Sequence, residues 1–349
     1  MVIQNIAFVA SNRNADLYRN DPSFVYRCEN LGLALSEQGR DVHFTHLTKL
    51  KWKEGYQTAI FHRPIASVRL WYLLRQLRLR GVVVIADFDD LVFDEAYADY
   101  SPGVLNGLVS HRVTRRRFRA HRRALSWFDG VTVSTEPLAN HMHRLFPSIR
   151  VEAIHNSVHL AWRQESHDVL PSDGKRIITY FPGTRSHHRD FAQIREPLSY
   201  FLRTHSEVKL QITGPLVFSI DADPRQISHE ERVPFAEYQA RVRNSWVNLA
   251  PLEETPFNQC KSALKVLEAG YWGVPTLCSS NSDNIRFSRA GAWVSTKPEE
   301  WIDNLERLLN ETEYQQASHE LRQRTVALAD VDKQAKLFLQ FAETLMGKF

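Results

Sequence analysis

Lys261, Lys265 and Glu268 stand at i, i+4 and i+7, a spacing that puts three ionisable side chains on one helical face. The segment carrying them, PLEETPFNQCKSALKVLEAGYWGVPTLCS over 251–279, reads as a strand end, a loop and a helix from about Cys260 to Trp272. A second strand follows, entered through Gly273, Val274 and Pro275. A helix N-terminus offers free backbone N–H groups and a partial positive charge, which suits a phosphate. Lys261 and Ser262 add donors at that end, and Lys265 follows one turn on. Glu268, two turns in, is placed to accept hydrogen bonds from a ribose diol. The plain alternative is a solvated Lys/Glu face.

Three other segments carry chemistry. GTRSHHRDF (183–191) follows the strand-like RIITYF, and a strand–Gly–loop–helix passage lets backbone approach a pyrophosphate. Gly183, Thr184 and His187 lie in that loop, and Arg185 adds a phosphate contact. ADFDDLVFD (86–94) places Asp87, Asp89 and Asp90 at a strand's carboxyl end, where they suit acid/base work, a metal or turn hydrogen bonding. In SHRVTRRRFRAHRRAL (110–125), Arg112, Arg115, Arg116, Arg119, Arg122 and Arg123 form one helical stripe, with Val113, Ala120, Ala124 and Trp127 beside it. Such a stripe fits a solvated face, an anionic lipid or lipid pyrophosphate, or nucleic acid. No aromatic-interleaved basic platform supports the last.

The elements that must hold these residues alternate strand and helix. IAFVA (6–10), DVHFTHL (41–47), TAIFH (58–62), GVVVIAD (81–87), GVTVST (130–135) and RVEAIHN (150–156) read as strands of one parallel sheet. Helices are expected over 23–38, stopped by Gly39, and over about 105–128. Residues 161–175 are polar, with Pro and Gly, and read as a linker. The pattern restarts with RIITYF (176–181), VKLQITG (208–214), SWVNLAP (245–251), VPTLCS (274–279) and AWVST (292–296). The last helices are expected over 298–310, 313–329 and 332–347. The expected division is 1–160 and 175–330, two doubly wound α/β domains, with 331–349 crossing back onto the first. Ligands of such sheets bind outside the carboxyl ends of the strands, which here means the interdomain cleft.

At 349 residues, 43% hydrophobic and 24% charged, the chain has globular composition, which excludes fibrous and disordered classes. No apolar run reaches the length needed to span a bilayer, and the start does not read as a signal peptide. Three distant cysteines without metal-ligand spacing argue against a disulfide framework and a zinc site, and fit a reducing cytosol. The net charge of +4 is unevenly spread.

The 251–279 segment, with Phe257, Asn258, Cys260, Lys261, Ser262, Lys265, Glu268 and the Gly-Val-Pro before the next strand, resembles the GT-B glycosyltransferases. Within them it is most similar to bacterial family-4-like enzymes that build surface polysaccharides. Gly183, His187, Asp190 and Phe191 match a second motif of that family, and SFVYRCENLGLAL resembles its first helix, with Ser23, Tyr26 and Arg27 near the cleft. The family's Glu–seven residues–Glu motif reads the donor sugar with its first Glu and the ribose with its second. Glu268 matches the second, whereas Cys260 stands at the first.

The resemblance implies a GT-B fold and a metal-independent glycosyltransferase, with retention of anomeric configuration. Its donor-binding set would be Gly183, Thr184, Arg185, Asn258, Lys261, Ser262, Lys265 and Glu268. Catalysis would fall to Asp89, Asp90, His187 and Lys261, with Arg27 and Asp87 on the acceptor side. The expected partners are a nucleotide-sugar and a glycan or lipid-linked acceptor, with peripheral membrane contact through Arg112–Arg123 and no nucleic acid. No cofactor or metal is expected, and the expected location is the cytoplasm, at the inner face of the membrane. A sugar-nucleotide 2-epimerase of the same fold and a non-catalytic anionic-polymer binder are the alternatives.

Overall fold

The computed structural model describes residues 3–12, 14–164, 176–288 and 292–347. Among the described residues, twelve strands form two six-stranded, all-parallel sheets. The first sheet has the order β2-β1-β3-β4-β5-β6. Its strands are β1 (Asn5–Ala10), β2 (Asp41–His46), β3 (Thr58–His62), β4 (Val83–Phe88), β5 (Gly130–Val133) and β6 (Arg150–Ala153). The second has β7 (Arg176–Tyr180), β8 (Val208–Thr213), β9 (Ile227–Glu230), β10 (Val247–Ala250), β11 (Thr276–Ser279) and β12 (Ala292–Ser295). Its order, β12-β11-β10-β7-β8-β9, reverses between β7 and β10, the crevice where doubly wound sheets bind ligands.

The strands form where the sequence is continuously apolar. Val83, Val84, Ile85 and Ala86 are fully buried because helices cover both faces of the sheet. The helix Val331–Met346 packs Ala335, Phe338, Phe341 and Leu345 into the first sheet's core. It approaches so closely that a Cβ on Gly130 of β5 would lie 2.7 Å from Leu345. The 161–175 linker reading falls largely outside the described residues. Its start, Leu160–Gln164, is a 3₁₀ turn whose Trp162 is wholly buried beside Tyr271 and Trp272.

Two expectations need correction. The Lys-bearing helix starts at Leu264, not near Cys260. Asn258–Cys260 form a separate 3₁₀ turn, and Lys261 leaves it with extended backbone. The basic helix is His111–Leu125, and its inner face is Thr114, Phe118, His121 and Ala124; Val113 points outward.

Candidate functional site

The loops after β7 and β10 meet on Asp190. Its Oδ1 accepts from the Glu253 backbone N–H (2.9 Å) and from Asn258 Nδ2 (3.0 Å). Its Oδ2 faces His187 Nδ1 at 2.8 Å and Lys261 Nζ at 4.0 Å. Asp190 was legible as part of a motif but not as the centre of the site. Asn258 is buried with its amide nitrogen shared between Asp190 and the Glu253 carbonyl, so it positions the loop instead of reaching into the cleft. Gly183, Thr184 and Arg185 lie exposed at the loop tip, and a Cβ on Gly183 would meet nothing within 4 Å. Thr184 and Ser186 hydroxyls pair at 2.6 Å. The loop is fixed from behind by Gly214. Its φ of 134° and the Pro182 carbonyl, 2.5 Å from any added Cβ, leave room only for glycine.

Lys261 and Lys265 concentrate positive charge here, with His187 beside them. Burial, then the neighbouring Lys261, lowers Lys265 to about 8. Burial, then both lysines, lowers His187 to about 4, so its ring is neutral near pH 7. The Lys265 ammonium has no hydrogen bond or ion pair among the described residues, and that of Lys261 has only its long approach to Asp190. The N–H groups of Leu264 and Lys265 at the helix start are also without acceptors among the described residues, whereas that of Ala263 is held by Asp283 (2.7 Å). Free donors and positive charge coincide here, an arrangement suited to an anion.

Glu268 is 4% exposed, and burial pushes its carboxyl up to about 7. Tyr238 donates to Oε2 at 2.7 Å, and Tyr26, from the first domain, donates to Oε1. Tyr26 lies in the π-helical turn Val25–Glu29, a wider turn often found at functional sites. Its neighbour Arg27 reaches in the other direction, into the first domain. Each carboxylate oxygen thus already accepts from a tyrosine, so Glu268 is not openly presented as the spacing suggested. Cys260 is buried in the first domain's core with Phe118 and Phe257. Its thiol is raised to about 12, chiefly by burial, so that position cannot substitute for an acidic sugar ligand.

Across the seam, Asn156 donates to Ser262 Oγ (2.9 Å), Thr135 to the Cys260 carbonyl (2.9 Å), and Asn106 to the Ser186 carbonyl (2.8 Å). The Ser262 hydroxyl therefore faces the first domain. Arg27 and Asp87 do not line the cleft. They are 4% and 2% exposed and form an ion pair at 2.6 Å. Arg27 also holds Asn156 (3.1 Å) and the Ile154 carbonyl; Asp87 also accepts from Thr132 (2.8 Å) and faces His62 (3.1 Å). Burial opposes ionisation of Asp87, but Arg27 and His62 outweigh it and hold its carboxyl below the usual range.

Asp89 and Asp90 do reach the rim. Both clamp Arg63, which has φ 45°, a strained conformation for a non-glycine residue. Ser23 donates to Asp89 and contacts His62 Nε2 at 2.8 Å. Despite burial, Arg63 holds Asp89 well below the ordinary carboxylate range. Asp90 is raised, first by burial, although Arg63 and Lys261 pull the other way. His62, Arg63 and Tyr238 were missed in the sequence, and only the Arg-Pro step after β3 hinted at any of them. Among the described residues, one trio has metal-ligand proximity, Cys28, His62 and Asp87. Arg27 already neutralises that aspartate.

Two six-stranded parallel Rossmann-like sheets meeting at a seam form a GT-B fold. No protein-family model and no curated protein matches the chain. Among solved structures it is similar to Anabaena HepE in complex with UDP, at 10% identity and TM-score 0.64, over 99% of this chain and 100% of that one. It is also similar to a Staphylococcus aureus TarM mutant in complex with fondaparinux, α-GlcNAc-glycerol and UDP, at 10% identity and TM-score 0.59. That match covers 81% of this chain and 55% of TarM, so the chain spans about half of TarM's length. A Listeria monocytogenes putative UDP-N-acetylglucosamine 2-epimerase matches at 12% identity and TM-score 0.55, over 95% and 94% of the two chains. At these identities the likeness establishes the fold.

Proposed function

We propose that the protein transfers a sugar from a nucleotide-sugar to a glycan or lipid-linked acceptor in surface-polysaccharide synthesis, working at the cytoplasmic face of the membrane with Arg112–Arg123 toward the lipid. The carrying observation is the unbalanced positive charge of Lys261 and Lys265 beside unpaired backbone N–H groups, at the strand-order switch of the second sheet. A diphosphate satisfies both. The donor enters as the Tyr26–Glu268 contact parts, places its ribose on Glu268 and its diphosphate on Lys261, Lys265 and the 183–187 loop.

As the anomeric C–O bond breaks, charge grows on the leaving diphosphate. Both lysines and Arg185 then act where the charge develops, without a divalent cation. Neutral His187, fixed through Nδ1 by Asp190, offers Nε2 toward the sugar. Asp89 and Asp90 hold the acceptor hydroxyl at the rim; its oxygen bonds to the anomeric carbon on the face the diphosphate leaves, its proton passes to the departing diphosphate oxygen, and configuration is retained, as the resemblance implies. Closure of the seam keeps water from the donor.

The test is incubation with UDP-, GDP-, dTDP- and CMP-sugars, with and without glycan or lipid-linked acceptors and with EDTA. The expected result is acceptor-dependent release of the nucleoside diphosphate (or of CMP) that EDTA leaves intact, with the product anomer read by NMR. Isomerisation of a donor supplied alone would instead favour the 2-epimerase reading, and no nucleotide-sugar binding would defeat both.

The site also fixes a pH dependence. Protonated Glu268 loses acceptor capacity below about 7, and Lys265 loses its charge above about 8. Affinity for a UDP-sugar, whose diphosphate keeps its charge across this range, is therefore expected to rise with pH toward 7 and fall beyond 8, as read by calorimetry. In Glu268→Gln the acid limb should vanish while the alkaline limb remains.

A further inference from the structure

Two helices cover the same face of the first sheet. Val68–Arg78 packs Leu70, Leu73, Leu74 and Leu77 inward, and His111–Leu125 packs Phe118, Ala124 and Leu125 into the same core. They are tied together at their flanks. Ala66 N–H donates to the Ala120 carbonyl (3.1 Å), His121 Nδ1 contacts the Pro64 carbonyl (2.8 Å), and Arg78 pairs with Asp129 (2.7 Å) just beyond the second helix. Their outer faces form one surface.

The charge of that surface is one-sided. Residues 64–82 hold four arginines and residues 110–127 hold seven, and neither stretch contains an Asp or Glu. The nearby carboxylates come from neighbouring segments: Glu95 toward Arg119 and Arg122, Asp129 toward Arg78, and Asp99 toward His111. Arg112, Arg115, Arg116 and Arg123 are exposed and have no ion pair among the described residues.

Apolar side chains stand out between the arginines. Val68 is 85% exposed, Leu79 71% and Val113 56%, and Trp71 and Tyr72 are about half exposed. Trp71, Leu74, Arg75, Leu79 and Trp127 line a cleft of about 420 Å³ between the two helices. A merely solvated arginine face has no use for aliphatic tips this exposed, and a nucleic-acid surface would use the arginines but not Val68, Leu79 and Val113. Guanidinium groups for headgroup phosphates, Trp and Tyr at the boundary and aliphatic tips for the acyl region together make an interfacial surface.

We propose that the paired helices Val68–Arg78 and His111–Leu125 dock the protein on an anionic phospholipid surface, with Val68, Trp71, Leu79 and Val113 entering it and the arginines binding its phosphates. This deepens the functional reading, on which it rests only for the acceptor. Arg63 and Pro64 lie just ahead of the first helix, so docking brings the Asp89–Asp90 rim toward a lipid-linked substrate.

The test is flotation of the full chain with phosphatidylcholine vesicles, with and without phosphatidylglycerol, beside a single-stranded RNA titration at the same salt. Expected is binding to phosphatidylglycerol vesicles only, weakened by salt. The Arg112→Ser/Arg115→Ser/Arg116→Ser variant should reduce it by about tenfold or more. Val68→Ser/Trp71→Ser/Leu79→Ser should reduce it comparably, and UDP affinity should be unchanged in both variants. Absence of flotation, flotation indifferent to the apolar changes, or tighter binding to RNA than to the vesicles would overturn the proposal. Flotation without any nucleotide binding would refute the glycosyltransferase reading and leave the docking face standing.

Discussion

Lys261→Ala should lower kcat for sugar transfer by about a hundred- to a thousandfold, the usual effect of removing one preorganised donor from a developing anion. The effect is large because the remaining cations, Lys265 and Arg185, already act on the diphosphate and cannot also fill the Lys261 position. Arg185 is at the exposed loop tip, and His187 is held neutral by burial and by the lysines themselves. Lys265→Ala should cost a similar factor, and the double variant less than the product, because the pair acts on one group. The measurement is single-turnover kcat at saturating donor, with circular dichroism as a fold control. An Arg at either position restores charge but not the compact ammonium geometry, so partial recovery is expected.

Arg27→Ala should destabilise the protein by about 3–5 kcal/mol, because it strips the buried Asp87 carboxylate of its guanidinium partner and leaves only His62 and Thr132 facing it among the described residues. Chemical denaturation reads this directly. Removing both partners in Arg27→Met/Asp87→Leu should recover much of the loss, since the isolated charge is then gone. A residue that merely touched the acceptor would raise acceptor KM and leave stability alone. Arg27 also holds Asn156, which holds Ser262, so the variant should loosen the seam as well.

The strands were legible because continuous β-branched runs such as 81–87 have few other uses in a chain of this size. The strand Ile227–Glu230 was not, because its sequence, ISHE, is polar and sits at a sheet edge. The helix Val68–Arg78 escaped notice because its apolar residues lie on both faces, which blurs the periodicity. Spacing put Lys261, Lys265 and Glu268 on one face and the family resemblance gave them roles, yet the helix start was misplaced by about one turn because Asn258–Cys260 form a 3₁₀ turn first. Arg27 read as a cleft residue since burial of an arginine depends on Asp87, Asn156 and Ile154, all distant in sequence. The same holds for Tyr26, whose meeting with Glu268 requires both domains.

A crystal structure with UDP tests the central claim most directly. The diphosphate is expected within hydrogen-bond reach of Lys261, Lys265 and the N–H groups of Leu264 and Lys265, with Tyr26 displaced from Glu268. UDP bound at another surface, or both lysines left in solvent while Tyr26 stays on Glu268, would contradict it.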